Sequence, residues 1–192
     1  MNIALFLQMA AEACPDRPAL THHGKHYTYA QLFSAAKRAA LYFSTGNCKF
    51  VCLLDTSSPA TPIALMGAAI AGIPYVPLNY RLSEEQLTPL LDRINPAYLI
   101  SGPRNETYDF DGWVVQDSAD FLSDVLNGEE VEVTWHEDPS AVAVQLFTSG
   151  TTGIPKAALL RHEHLVSYIL GSVEFMGALE DEAALVSVPP YH

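Results

Sequence analysis

Apolar and polar residues recur along this chain with two different periods, which predict an alternation of helices and strands. Near the N-terminus, apolar residues return at steps of three and four positions. This spacing is typical of an amphipathic helix that packs on a domain, and it includes Ile3, Phe6, Met9, Ala10 and Ala13. The next segment, residues 19–29, divides into two short strands around a turn at His23 and Gly24, which predicts a hairpin.

A second amphipathic helix is predicted over residues 30–43. Lys37 and Arg38 lie outside its apolar face and are expected to be solvated. The apolar face comprises Leu32, Phe33, Ala36, Ala39, Ala40 and Phe43.

Strands and helices then alternate through the middle of the chain. Because alternating strands and helices build parallel sheets with helices on both faces, the pattern predicts an α/β fold with layered αβα architecture and a mostly parallel sheet. The predicted strands are 50–54, 75–76, 98–100 and 114–115, with helices over about 59–71, from 83 and around 121.

The last third of the chain is predicted to form a second unit. Strands at 141–147 and 157–160 flank a polar loop, a helix follows over about 162–176, and an apolar strand is expected at 183–188. We therefore divide the chain into a first α/β subdomain, residues 1–138, and a hairpin with the start of a second subdomain, residues 139–192.

The net charge of the chain and its distribution limit which classes of macromolecule the protein is expected to bind. The net charge is −12, and residues 101–150 hold half of the 22 acidic residues with a single base, Arg104. A nucleic-acid partner would require a basic stripe, so none is expected. The acidic residues between positions 106 and 138 are most simply a solvated face.

Cysteine usage and hydropathy indicate a cytoplasmic protein. The three cysteines Cys14, Cys48 and Cys52 form an odd set without metal-site spacing, which indicates reduced thiols. A disulfide between Cys48 and Cys52 is not expected, because four positions along a strand separate them too far. The longest apolar stretch, residues 59–77, is interrupted by glycines and prolines, so no membrane span is predicted.

The main chemical signal is residues 147–156, Phe-Thr-Ser-Gly-Thr-Thr-Gly-Ile-Pro-Lys. Gly150 and Gly153 let backbone N–H groups approach an anion, and Lys156 adds a positive charge. The hydroxyl donors are Thr148, Ser149, Thr151 and Thr152. The segment departs from the Walker A pattern at Pro155 and Ala157, which disfavours an ordinary P-loop NTPase. A flexible surface loop is the alternative, and the Pro-Lys ending argues against it.

This segment resembles the phosphate loop of the adenylate-forming superfamily, which includes acyl-CoA synthetases, peptide-synthetase adenylation domains and luciferases. Four further segments resemble that superfamily in the same order, namely residues 15–20, 27–32, 71–79 and 189–192. The resemblance implies that the chain is the first part of a large N-terminal domain and that this 192-residue chain alone is inactive.

The resemblance also implies a reaction and a set of roles. A carboxylic acid attacks the α-phosphate of MgATP, pyrophosphate leaves, and the acyl group passes from the adenylate to coenzyme A. By position, Thr148 would contact Mg²⁺, Lys156 would neutralise departing pyrophosphate and His192 would orient the substrate carboxylate. The β- and γ-phosphates would be surrounded by Thr148, Ser149, Gly150, Thr151, Thr152 and Gly153.

Within the superfamily, residues 77–83 look like those of acyl- or aryl-CoA synthetases, and a fatty or other medium-sized carboxylic acid is the default substrate. The partners implied are thus a small carboxylic acid, ATP and CoA, with homo-oligomerisation left open. Two other classes are weighed against this one. The first is a short non-catalytic chain that binds a nucleotide or a partner. The second is a kinase-like enzyme, which lacks a visible catalytic aspartate and glycine pattern.

Overall fold

A computed structural model describes residues 1–102, 111–148, 155–174, 177–179 and 182–191. The helices are α1 Ala4–Ala13, α2 Tyr29–Thr45, α3 Ala60–Ala71, α4 Glu84–Leu91, α5 Ser118–Asn127 and α6 His162–Ser172. The strands are β1 Pro18–His22, β2 Lys25–Thr28, β3 Phe50–Leu54, β4 Tyr75–Pro77, β5 Ala97–Ser101, β6 Val114–Asp117, β7 Val142–Thr148 and β8 Lys156–Arg161.

The strands form a small hairpin and one large sheet. β1 and β2 pair antiparallel, as the sequence predicts. The large sheet has the order β6-β5-β3-β4-β7-β8, and all its neighbours are parallel except β7 and β8. The predicted α/β fold with a mostly parallel sheet is therefore confirmed. Since β7 and β8 extend the same sheet, the proposed division after residue 138 stays a prediction.

Helices cover both faces of the sheet, and the two-residue period of the strands sorts their side chains between two cores. On β3, Val51 and Leu53 face the larger core, which also receives residues of α1, α2, α3 and α5. Cys52 and Leu54 face the opposite core, which includes Leu87 of α4. Burial on both faces explains why β3 is a continuous apolar run.

Helices α2 and α3 pack so closely that a glycine is required between them. A Cβ on Gly67 would lie 2.7 Å from the Cβ of Ala39 and 3.0 Å from the carbonyl oxygen of Ala36. The predicted apolar face of α2 is correct, but the predicted exposure of Arg38 is wrong, because Arg38 is buried. Its guanidinium donates to carbonyls at the end of α5 and just beyond it, those of Val125, Leu126 and Glu129.

The N-terminus is held by polar contacts that the helical period does not reveal. The Asn2 side-chain amide donates to the carbonyls of Ala69 at 2.6 Å and His136 at 2.9 Å. The Ile3 N–H donates to Nδ1 of His162 at 3.3 Å. On α1 itself, the prediction that Met9 is buried is wrong, because this side chain is 39% exposed.

The burial of His162 makes folding stability depend on pH. Burial lowers the pKa of His162 below its ordinary value of 6.5, and nearby His136 and the N-terminal amine lower it further, whereas Asp138 opposes them. The unfolded chain therefore binds the proton more readily, so this contribution is complete above pH 6.5 and is lost as the pH falls below it. One proton limits the loss to about 1.4 kcal/mol per pH unit.

We expect denaturant unfolding to show lower stability at pH 5.5 than at pH 7.5, and His162→Asn to reduce that difference. Asparagine keeps an acceptor for the Ile3 N–H but does not titrate. An unchanged difference in the variant would assign the pH dependence to other groups.

Toward the end of the described chain, the structure departs from the predicted elements. α6 ends at Ser172 rather than near 176. The predicted strand over 183–188 is wrong, since the structure assigns no strand to these described residues and Leu185 is 92% exposed. Apolar composition predicted burial, but a strand also requires a neighbouring strand for its backbone hydrogen bonds.

Cys14, Cys48 and Cys52 are free cysteines in the structure, and their redox state stays a prediction. Burial raises the pKa of both Cys48 and Cys52. In the part of the chain that the structure describes, no helix combines the length and hydropathy needed to cross a bilayer.

Candidate functional site

The two ends of the predicted phosphate loop meet at the tip of the β7–β8 hairpin. Thr148 and Lys156 are register partners, and the Thr148 hydroxyl donates to the Lys156 carbonyl at 3.4 Å. Both residues are exposed. The loop between them, with the predicted residues Ser149, Gly150, Thr151, Thr152 and Gly153, lies outside the described residues, as does His192.

The hairpin tip lies at the carboxyl edge of the parallel strands. β7 runs parallel to β4, which runs parallel to β3, and β3 runs parallel to β5. Thr148, at the end of β7, therefore shares an edge with the residues that follow β3, β4 and β5. Open α/β sheets bind ligands at this edge.

The segment that precedes His192 reaches the same edge. The rings of Tyr80, which follows β4, and Tyr191 lie edge to face with centroids 5.5 Å apart. The Ser57 hydroxyl, beyond β3, donates to the Val188 carbonyl at 3.5 Å. The hairpin and the Pro-Pro-Tyr segment are separate motifs in the sequence, but both lie at the carboxyl edge of the large sheet.

Asp55 and Gly102 form a further close contact at this edge that the sequence analysis missed. Asp55 follows β3, and its Oδ1 accepts the Thr56 N–H at 2.6 Å. Gly102 follows β5, and a Cβ there would lie 2.2 Å from Asp55 Oδ1. Glycine at 102 therefore permits the carboxylate to occupy this position. The only sequence signal was an aspartate directly after a buried strand.

Two positively charged side chains lie at the base of the loop that connects Thr148 to Lys156. Lys156 begins β8, and Arg93, from the link between α4 and β5, donates through Nη1 to the Pro155 carbonyl at 2.6 Å. The Arg93 guanidinium also lies over the Phe147 ring, 5.2 Å from its centroid. The chain has a net charge of −12, so two positive side chains at one hairpin form a local positive charge. Such a charge attracts an anionic ligand.

The described side chains form no preassembled metal centre. Within those residues, no cluster of three or more His, Cys, Asp or Glu side chains is arranged to hold a metal ion. A magnesium ion bound through nucleotide phosphates requires fewer protein ligands, because it keeps waters and takes only one or two protein oxygens. The exposed Thr148 hydroxyl is an oxygen of the kind such an ion accepts.

The chain is similar in sequence to known proteins along nearly its whole length. Residues 7–192 match the model of the family described as AMP-binding enzyme. The chain is 30% identical over 209 residues to a medium/long-chain-fatty-acid–CoA/3-oxocholest-4-en-26-oate–CoA ligase of Mycolicibacterium smegmatis, covering 96% of this chain and 38% of that protein. It is 27% identical over 199 residues to a D-alanine–D-alanyl carrier protein ligase of Lacticaseibacillus rhamnosus, covering 99% of this chain and 38% of that protein.

The fold agrees with these sequence matches. A structure of o-succinylbenzoate CoA synthetase from Bacillus subtilis, bound with a product analogue, superposes with a TM-score of 0.78 at 25% identity, covering 97% of this chain and 39% of that one. The chain thus spans well under half of each of these relatives. Because the family model matches nearly its whole length, this chain belongs to the AMP-binding enzyme family, the adenylate-forming superfamily that its motifs resemble.

Proposed function

We propose that the protein containing this chain is an ATP-dependent, AMP-forming acid–thiol ligase and that the chain binds the nucleotide phosphates. The observation that carries the proposal is the β7–β8 hairpin at the carboxyl edge of the sheet. Its register holds Thr148 beside Lys156, at the two ends of a loop rich in glycine and hydroxyl residues. A phosphate chain needs such a combination of donors, positive charge and close backbone approach.

The residues of this loop fit the chemistry of MgATP. In the proposal, Ser149, Gly150, Thr151, Thr152 and Gly153 donate to the β- and γ-phosphates through N–H and hydroxyl groups. Thr148 offers an oxygen to magnesium, and magnesium, when bound, neutralises phosphate charge.

Lys156 and His192 are the proposed catalytic residues. Lys156 lies at the start of a strand, where its ammonium group counters the charge that accumulates on departing pyrophosphate. His192 directly follows Tyr191, whose ring contacts Tyr80 at the carboxyl edge, and its role is to orient the substrate carboxylate. The protein then contributes position and electrostatics rather than a covalent intermediate.

The proposed substrates are a fatty acid and coenzyme A. Support comes from residues 77–83 and from the 30% identity to the medium/long-chain fatty acid ligase. The comparable match to a D-alanyl carrier protein ligase favours a second candidate, an amino acid substrate with a carrier-protein thiol as acceptor. A cytoplasmic location and the option of homo-oligomerisation remain part of the proposal.

The test is acid-dependent exchange of pyrophosphate into ATP by the gene product at its natural length. Fatty, aromatic and amino acids are compared one at a time with magnesium present. We expect exchange with fatty acids, followed by thioester formation when coenzyme A is added. Exchange with amino acids together with transfer to a carrier-protein thiol would establish the second candidate instead.

Absence of exchange from folded protein would contradict the ligase proposal. Calorimetric titration with MgATP would then separate the two remaining cases. Binding without exchange would indicate a non-catalytic nucleotide-binding protein, and absence of binding would remove the phosphate loop assignment as well.

A further inference from the structure

Arg93 reaches the hairpin from another part of the fold. It lies two residues beyond α4, between Leu91 and Ile94, which are 1% and 0% exposed. Arg93 itself is exposed. Its backbone is therefore anchored by buried neighbours on both sides while its side chain extends along the surface to residues more than 50 positions away in the sequence.

The side chain touches both arms of the hairpin at once. On the outgoing arm, the guanidinium lies over the ring of Phe147, 5.2 Å from the centroid, one residue before Thr148. On the returning arm, Nη1 donates to the Pro155 carbonyl at 2.6 Å, one residue before Lys156. A planar guanidinium can stack on a ring and donate in its own plane, whereas an ammonium group has no stacking face.

This double contact adds to the closure of the hairpin at its tip, where Thr148 and Lys156 are paired in the β7–β8 ladder. The Thr148 hydroxyl and the Lys156 carbonyl are separated by 3.4 Å, near the limit of a hydrogen bond. A charge-assisted bond to Pro155 is stronger than this one. Arg93 thus holds the residue before Lys156 against the anchored α4–β5 link.

We propose that Arg93 is a positioning residue that fixes the spacing of Thr148 and Lys156 and so sets the affinity of these two residues for nucleotide phosphates. This inference rests on the proposed function, because it assigns Arg93 to the same hairpin. Arg93 acts through Phe147 and Pro155 and does not itself take part in the chemical step.

The experiment compares Arg93→Ala and Arg93→Lys in the natural-length protein, with Arg17→Ala as the matched control. Arg17 also donates to backbone carbonyls, those of Ala178 and Leu179, and its side chain makes no hydrogen bond to the described residues of the hairpin. Two quantities are measured: the KM for MgATP against kcat in pyrophosphate exchange, and hydrogen–deuterium exchange of the amides of β7 and β8.

For Arg93→Ala we expect a KM for MgATP raised roughly tenfold with a smaller change in kcat, as for the loss of one charge-assisted contact. Amides near Phe147 and Ala157 should exchange faster, while melting temperature stays near that of the Arg17→Ala control. Arg93→Lys should restore only part of the KM, because lysine can reach the carbonyl but cannot stack.

Unchanged amide exchange in Arg93→Ala would overturn the positioning role, as would a KM for MgATP equal to that of Arg17→Ala. Full rescue by lysine would overturn the claim that the planar group is needed. If the unaltered protein shows no pyrophosphate exchange, the proposed function fails, and amide exchange still decides whether Arg93 holds the hairpin.

Discussion

Replacing both Thr151 and Thr152 with valine in the natural-length protein is expected to abolish acyl-adenylate formation while leaving the fold intact. Valine has the shape of threonine but cannot donate or accept, so the loop would lose two of its four hydroxyls. Removing a single well-placed donor to a developing anion costs on the order of a hundredfold in rate, and two should exceed this. Acid-dependent pyrophosphate exchange measures the loss directly.

A control for this double variant is Thr45→Val. Thr45 ends α2, and its hydroxyl donates to the Leu41 carbonyl within the same helix, well removed along the chain from the loop. Its exchange rate should match that of the unaltered protein, and melting temperatures of the two proteins should be similar. Normal exchange by the Thr151 and Thr152 double variant would remove these hydroxyls from the mechanism.

The sequence predicts the architecture well because most helices and strands carry a local signal, either a periodic apolar face or a continuous apolar run. β3 is apolar at every position because both faces of the strand are buried. The strands paired with it, β4 and β5, each follow a helix along the chain, as in a parallel sheet. The exceptions are residues whose surroundings come from distant parts of the chain. Arg38 is charged and therefore predicted to be solvated, yet it satisfies carbonyls near the end of α5, 87 or more residues away. Helix ends leave carbonyls that need such donors.

In the candidate site too, local sequence signals can be predicted, whereas contacts between distant parts of the chain cannot. A motif of glycine and hydroxyl residues can be recognised locally, so the loop between Thr148 and Lys156 is evident from the sequence. Arg93 and Asp55 carry no local signal, because their importance depends on which strand ends share an edge. Parallel pairing of β3, β4 and β7 brings Asp55 to the edge where β7 ends, whereas Arg93 reaches the hairpin through its side chain from the α4–β5 link. The candidate site therefore combines a local sequence motif with contacts that arise only on folding.

Under the proposed function, two motifs about 40 residues apart would serve one reaction, because both lie at the carboxyl edge of the sheet. Acid activation requires the carboxylate and the α-phosphate to meet in a fixed geometry. Tyr191 contacts Tyr80 beyond β4, and the adjacent strand β7 ends at Thr148. Substrate and nucleotide groups bound at these two places would approach each other across neighbouring strand ends.

Replacing Lys156 with methionine is expected to lower the rate of pyrophosphate exchange on the order of a hundredfold, by removing charge that stabilises the departing pyrophosphate. Methionine retains a flexible chain of similar length, and Lys156 is exposed, so stability should change little. Lys49→Met is the matched control, because Lys49 is an exposed lysine immediately before β3, at the opposite, amino edge of the sheet. Both variants lose one positive charge, so a general effect of net charge would slow them equally.

A loss of rate that is confined to Lys156→Met and is expressed in kcat assigns the Lys156 ammonium group to the chemical step. Equal rates in the two variants would make Lys156 an ordinary surface lysine.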